Sequence, residues 1–542
     1  MSKFNKTSAR ARSGNGPIKS ESTSTVLTAN GAAGFVRDSK SELFLTAVSD
    51  FGGENTFYET ADQRSNRINR LVHEVAVSDP EWLTNFTKWL RDEANMRSVS
   101  LMVAMEGAKA LNDAKISGGR KLVSNAIRRA DEAGEALAYW FSNHGRKLPA
   151  AVKRGIADGA VNRYNEYSLA KYDTDSHGFR FADVIGLTHP SPKDEKQSEL
   201  FKFALERRRN SSAKPTESLT MLQKRKEFLA LSKEEVSKLI DSGEAESVLS
   251  AAGLTWEVFS STLGGLDGKG WAAMIPSMGY MALLKNLRNF EEKGVSEAVL
   301  AQVAARISDP AEVAKSRQLP FRFLSAYRAN SGSLRWGFPL EQALKASLAN
   351  VPELDGHTLI LVDRSGSMFQ NFSKNTELSY ADTAAIFGSA LALRANKATL
   401  VQFGTSASEV SFKKSDSVLK TLDKFSALGG TATYDAIVKF YDPSKHTRVV
   451  LITDEQANGT YHRLNGSDPR YWSGYTAVRG SVLDDTLPST VPTFTWNLAG
   501  YKAGHGASKA NRTYLGGLSD QAFKMIPLLE SGRDAGWPWE NK

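Results

Sequence analysis

Three short segments contain the residues best suited to chemistry: LILVDRSGSM (359–368), GGTAT (429–433) and RVVLITD (448–454). Asp363, Ser365 and Ser367 directly follow an apolar run rich in β-branched residues. They are therefore predicted to sit on the loop leaving a buried strand, where open α/β sheets place their ligands. Thr431, after a glycine pair, adds a hydroxyl on a second loop, and Asp454 closes a second apolar strand. Every one of these side chains ends in oxygen, and hydroxyls beside carboxylates suit Mg²⁺, a hard cation that prefers near-octahedral oxygen ligation. The expectation is one divalent ion held by Asp363, Ser365, Ser367, Thr431 and Asp454. Helix capping by Asp and Ser would account for one loop but not for all three. A metal hydrolase also needs a general base beside its metal. Asp363 and Asp454 are both taken up as metal partners, so no catalytic residue is assigned and a noncatalytic protein is expected.

The elements around these loops must place them. ADTAAIFGSALALRAN (381–396) reads as a helix, ATLVQFG (398–404) and PTFTWNL (492–498) as strands. That alternation predicts a doubly wound α/β domain. Upstream, from about residue 40 to 345, helix follows helix. In PEWLTNFTKWLRDEA the apolar residues Trp82, Leu83, Phe86, Trp89 and Leu90 recur at three and four after an Asp79-Pro80 start. Ser232 with Glu235, and Asp309 with Glu312, read as capping boxes. Stacked helical pairs and a compact irregular bundle both fit, since no fixed repeat period emerges. At 542 residues the chain exceeds a single domain. The expected division is a disordered basic tail over 1–30, a helical region over 31–350 and a sheet domain over 351–542.

The absence of cysteine excludes disulfides and thiolate metal sites. The N-terminal stretch has no apolar core of signal-peptide length, and nothing approaches the roughly 18 to 20 apolar residues of a membrane span. A soluble, cytoplasmic protein is expected. The net charge of +9 divides as +8 over the first 350 residues and +1 over the rest, which points the helical region toward a polyanion.

The metal constellation resembles the metal-ion-dependent adhesion site (MIDAS) of von Willebrand factor A domains, in which residues at these positions hold the ion and a partner's carboxylate often completes the shell. A second resemblance covers the helical region. GRKLPAAVKRGIADGAVNRYNEYSLAKY (145–172) and FADVIGLTHPSPKD (181–194) are similar to the signature of TROVE domains, and ALLKNLRNF (282–290) and KSRQLPFRFLSAYR (315–328) to further family blocks. A TROVE module followed by an A domain is the arrangement of the Ro autoantigen and its bacterial orthologues. The resemblance implies a ring of HEAT-like repeats in a monomeric ribonucleoprotein. It also implies small noncoding Y RNA bound outside the ring, single-stranded ends of misfolded RNA bound in its hole, and work in RNA quality control with an exoribonuclease, polynucleotide phosphorylase.

Lys171 and His189 match the family's Y RNA contacts. Lysine offers a mobile charge to phosphate, while histidine can hydrogen-bond or stack; His189 could equally serve as a histidine bonded at a helix end before Pro190. Where the family can carry a basic residue, this chain has Asp173, Thr174, Asp175 and Ser176, leaving His177 and Arg180 as substitutes. Lys285, Arg288, Arg317 and Arg322, interleaved with Phe321 and Phe323, have the chemistry to pass a single strand; the two rings can also be core and the cations helix-end caps. Arg128 with Arg129, and Lys153 with Arg154, are weaker candidates. An insertion carrying Arg463, Arg470, Tyr471, Trp472 and Tyr475 follows Asp454 and could recognise a partner or pack on the domain. Two function classes compete: a noncatalytic RNA-binding scaffold, and a metal-dependent adhesion module that grips an acidic protein partner.

Overall fold

Trp82, Leu83, Phe86, Trp89 and Leu90 form one buried stripe on the helix Pro80–Asp92, which begins where Asp79 accepts the Trp82 amide at 3.0 Å. The computed structural model describes residues 20–28, 33–49, 60–349, 351–371, 378–456, 482–501, 504–506, 511–518, 523, 525–530 and 536–540. Helix formation of this kind, with an apolar stripe buried on neighbours, repeats from Ser39–Val48 to Leu334–Ser347. Ser232 and Glu235 form the expected capping box of the helix Lys233–Ser242. Asp309 caps Pro310–Ser316 through the Ala311 amide, but Glu312 lies beside Arg306 and Lys315 and does not reach back to the cap.

The N-terminal segment differs from the expected unstructured tail. β1 (Ser20–Leu27) pairs antiparallel with β2 (Ala33–Arg37), with an irregular register between Glu21 and Thr25. The Thr- and Val-containing run has the β propensity for this, which composition alone, rich in Ser and Lys, conceals. Residues 1–19 lie outside the described residues.

The second domain is a six-stranded sheet of β3 (His357–Asp363), β4 (Lys397–Phe403), β5 (Ala407–Glu409), β6 (Arg448–Thr453), β7 (Thr493–Asn497) and β8 (Arg512–Gly516), ordered β5-β4-β3-β6-β7-β8. All pairings are parallel except β4 with β5. Strand order reverses between β3 and β6, the switch point at which doubly wound sheets bind ligands. The helix Tyr380–Arg394 covers one face, and Thr433–Phe440 packs with Val482–Thr486 on the other.

Both ends of the helical region meet this domain. At the first end, Arg67 donates to the Gly500 carbonyl at 3.1 Å and the Ser49 hydroxyl to the Asn497 carbonyl at 3.3 Å. Trp537 and Trp539, stacked 5.5 Å apart, insert among Phe44, Trp82, Phe86 and Trp89. At the other end, Arg328 pairs with Asp382 at 2.8 Å. The helical arc also meets itself, where the Asn95 side chain donates to the Arg317 carbonyl at 2.6 Å. Replacing Trp537 with Ala removes a buried aromatic and should lower unfolding free energy by about 3 kcal/mol, measurable by denaturant titration; an unchanged midpoint would mean that the indole does not hold the two parts together.

Candidate functional site

The paired strands β3 and β6 deliver Asp363 and Asp454 to the same end of the sheet, and all five proposed ligands, Asp363, Ser365, Ser367, Thr431 and Asp454, are buried there. The Ser365 amide donates to Asp363 Oδ1 at 2.8 Å, and the Ser365 and Ser367 hydroxyls lie 3.3 Å apart. The Thr453 hydroxyl donates to Asp363 Oδ2 at 2.6 Å. Backbone bonds clamp the Thr431 loop onto this one, Gly366 to Gly429 at 2.5 Å and Leu428 to Arg364 at 3.0 Å, while the Gly430 amide donates to the Thr405 hydroxyl on the loop after β4 at 2.7 Å. Gly429 has φ +80°, and a Cβ there would meet Thr405 Oγ1 at 2.8 Å, so the loop's close approach needs glycine.

Arg364, the residue between the first two proposed ligands, fastens the site to its surroundings. It donates to the Ser426 carbonyl at 2.9 Å and the Ala381 carbonyl at 2.7 Å, between the rings of Phe369 and Phe425. Burial draws its pKa down to about 10, which still leaves it charged at neutral pH.

The electrostatics of the rim ask for a cation. Burial first, and then the charge of Asp363, push Asp454 up to about 7; burial likewise raises Asp363, against hydrogen bonds from Thr453 and Ser365. Asp454 Oδ1 accepts from the Gln456 amide at 3.1 Å, but Oδ2 is buried with no hydrogen-bond partner among the described residues. Two buried carboxylates and an orphaned oxygen, ringed by hydroxyls, fit a hard divalent ion. Such an ion would offset the desolvation and repulsion that the pair otherwise carries.

Three residues absent from the sequence reading support the rim. Glu455 and His505 are wholly buried behind it, and the His505 ring lies 3.0 Å from the Thr433 hydroxyl. Arg37, at the end of β2, reaches Glu455 at 3.0 Å. The one sequence signal was an acidic residue directly after Asp454. Arg463, Arg470, Tyr471, Trp472 and Tyr475 lie outside the described residues.

On the helical region, Lys171 and His189 end the helices Glu166–Tyr172 and Phe181–Thr188, and both are exposed. The Lys171 ammonium lies 5.5 and 5.3 Å from the ring centroids of Tyr167 and Tyr172, so it sits on an aromatic step. His189 adopts the left-handed conformation at φ +51° as the helix C-cap before Pro190. Only its backbone serves the helix end, which leaves the ring available.

Arg180 is engaged within its own loop. Its guanidinium is held by Asp173 at 3.0 Å and Asp175 at 2.5 Å, and Asp173 also binds Arg207 and the Phe181 amide. The acidic stretch thus serves as an anchor, with Arg180 and Arg207 both fastened to Asp173. Arg128 and Arg129 are likewise paired, with Asp92 and Asp131.

Lys285 and Arg288 share the exposed face of the helix Tyr280–Glu292, although Arg288 pairs with Glu292 at 2.7 Å. That helix packs against Pro310–Ser316 and Pro320–Ala329, which bring Arg317 and Arg322. Phe321 and Phe323 are core, as the blander reading held. The Arg322 side chain is solvent-exposed, yet burial among surrounding protein lowers its pKa. Its guanidinium lies 5.2 Å from the Phe321 centroid.

Comparison with known proteins agrees with this architecture. The von Willebrand factor type A domain profile matches residues 358–456. The crystal structure of the Deinococcus radiodurans RO (RSR) protein superposes with a TM-score of 0.62 at 18% identity, covering 91% of this chain and 99% of that one. At that identity the likeness speaks for the fold. Among the described residues, no helix is long and apolar enough to cross a membrane. The TROVE domain profile matches residues 36–334, more than half of the chain, and the protein belongs to the TROVE-domain family.

Proposed function

We propose that this protein is a noncatalytic RNA-binding scaffold. The TROVE match over residues 36–334 carries this reading, because the exposed cations Lys171, Lys285, Arg288, Arg317 and Arg322 all lie within it. Folded Y RNA docks outside on Lys171 and His189, where the ammonium above Tyr167 and Tyr172 meets phosphate and the imidazole hydrogen-bonds or stacks. Single-stranded ends of misfolded RNA pass Lys285, Arg288, Arg317 and Arg322 on the concave side, where stacking and phosphate neutralisation require no particular sequence. The scaffold then presents such RNA to an exoribonuclease of the polynucleotide phosphorylase type, as a cytoplasmic monomer. Mg²⁺ at the sheet switch point is held by Asp363, Ser365, Ser367, Thr431 and Asp454. Bound there, a divalent ion would tie three loops together and supply a positive charge that an acidic group of a partner could meet.

Sequencing RNA crosslinked to the protein in its native cells tests this reading; the expected result is enrichment of one small structured RNA together with a diverse tailed population. Absence of enriched RNA, with an acidic protein retained in a Mg²⁺-dependent manner, would favour the adhesion reading. The pair Lys171→Ala with His189→Ala should weaken Y RNA binding roughly tenfold and reduce the salt slope by about one unit. The thermal midpoint should be unchanged, since both side chains are exposed. Equal affinity for parent and variant in a titration at moderate salt would remove these residues from the interface.

A further inference from the structure

We propose that Arg37, carried by the N-terminal hairpin, is a positioning residue for the metal rim: by holding Glu455 it sets the turn that presents Asp454, so that cation affinity depends on how that hairpin docks. The inference rests on the Mg²⁺ reading given above.

Arg37 and Glu455 are 418 residues apart in sequence, and their 3.0 Å contact is shielded from solvent on both sides, with side-chain exposures of 3% and 0%. The guanidinium also lies 4.9 Å from the Tyr514 ring centroid on β8. Glu455 follows Asp454 directly and has φ +68°, a left-handed conformation unfavourable for a residue with a Cβ. Strain of this kind persists only where its surroundings over-determine it. Here they do so from both ends of the residue. The Glu455 amide donates to the Thr453 hydroxyl at 3.1 Å. The carboxylate is held by Arg37 on one oxygen and by the Gly504 amide at 2.9 Å on the other.

Two routes lead from this carboxylate to the proposed ligands. The Thr453 hydroxyl that receives the Glu455 amide gives its own proton to Asp363 Oδ2 at 2.6 Å, so the Glu455 backbone fixes the hydroxyl's orientation toward Asp363. On the other side, His505 Nδ1 lies 3.8 Å from Glu455 Oε2, while its Nε2 lies 3.0 Å from the hydroxyl of Thr433, two residues beyond Thr431. Removing Arg37 would leave the Glu455 carboxylate as a buried charge without its cation. Breaking one side of a buried pair is strongly destabilising, and the turn can relieve it by rotating Glu455 outward. Because Asp454 shares a peptide bond with Glu455, that rotation displaces the ligand.

A purely structural Arg37 would lower stability without altering the rim. Calorimetric titration of the full chain with Mg²⁺ alone separates the two roles when run on the parent and on Arg37→Met, Arg37→Lys, Glu455→Gln and the Arg37→Met, Glu455→Gln double variant. Arg67→Met serves as a control, because Arg67 also links the region before residue 350 to the sheet domain, through the Gly500 carbonyl, without touching Glu455. Arg37→Met should bind Mg²⁺ at least about tenfold more weakly, and Arg37→Lys should recover part of the loss. The double variant should be no weaker than Arg37→Met, since the uncompensated charge is gone. Arg67→Met should lower the melting temperature and keep its Mg²⁺ affinity. If Arg37→Met does not fold, Arg37→Lys carries the test, with a severalfold loss expected. A parent that binds no Mg²⁺ overturns the metal reading and this inference with it. A parent that binds, alongside Arg37 variants of equal affinity or an Arg67→Met equally weakened, overturns the inference alone.

Discussion

Asp363→Ala should abolish Mg²⁺ binding, and with it the thermal stabilisation that saturating Mg²⁺ gives the parent at pH 8. At about a hundredfold excess over Kd, a ligand that binds only the folded state adds about 2.7 kcal/mol, which a melting curve resolves easily. The sign with pH follows from the two carboxylates. Both are raised in the folded state, Asp454 to about 7. Without metal, their protonated forms favour the fold below the ordinary carboxylate pKa, and that contribution is lost as pH rises through the folded value. Mg²⁺ requires the deprotonated pair, so its stabilising effect should be large at pH 8 and small at pH 5. An equal Mg²⁺ shift at both pH values, or one that survives in Asp363→Ala, would place the ion elsewhere.

Reversing Arg317 and Arg322 together to Glu should remove single-strand binding while sparing Y RNA docked outside. In the function proposed above Arg322 and Arg317 line an interior space, and Arg317 sits where Asn95 joins the two ends of the helical arc. An unpaired 3′ tail can enter such a space, whereas an A-form duplex is wider and has its bases already paired. Each lost phosphate contact should reduce the salt slope by about 0.7 for a single strand. Together the two reversals should weaken tail binding roughly a hundredfold, since each replaces an attraction with a repulsion. The measurement is a competition between tailed and blunt forms of one RNA on parent and variant. Equal binding of the two forms by the parent, or equal loss of tail and Y RNA binding in the variant, would reduce these cations to a general electrostatic surface.

Much of the sheet domain could be read from the chain, because its signals are local. The apolar run before Asp363 and the run before Asp454 became adjacent parallel strands, and the acids fell at the switch point. The stripe on Pro80–Asp92 and the cap at Ser232 were equally legible, as each lies within one helical turn or two. What escaped was set by distant partners. Nothing near Glu455 announces that Arg37 will neutralise it, and nothing in DTDS announces that Asp173 will capture Arg180 and Arg207. The cation count of a segment says little about free charge when cations such as Arg91, Arg97 and Arg128 face carboxylates contributed by other helices. The meeting of the helical arc with the sheet at both ends depends on such contacts as well, which leave no period in the sequence.

The insertion of Trp537 and Trp539 among Phe44, Trp82, Phe86 and Trp89 has a consequence for biosynthesis. The slot is made first and its filler comes hundreds of residues later. At translation rates of about 5–20 residues per second, the first helices emerge on the order of half a minute before the indoles that complete their packing. During that interval the slot lacks its filler, and the nascent chain carries apolar aromatic surface of the kind that makes incomplete folds prone to aggregate.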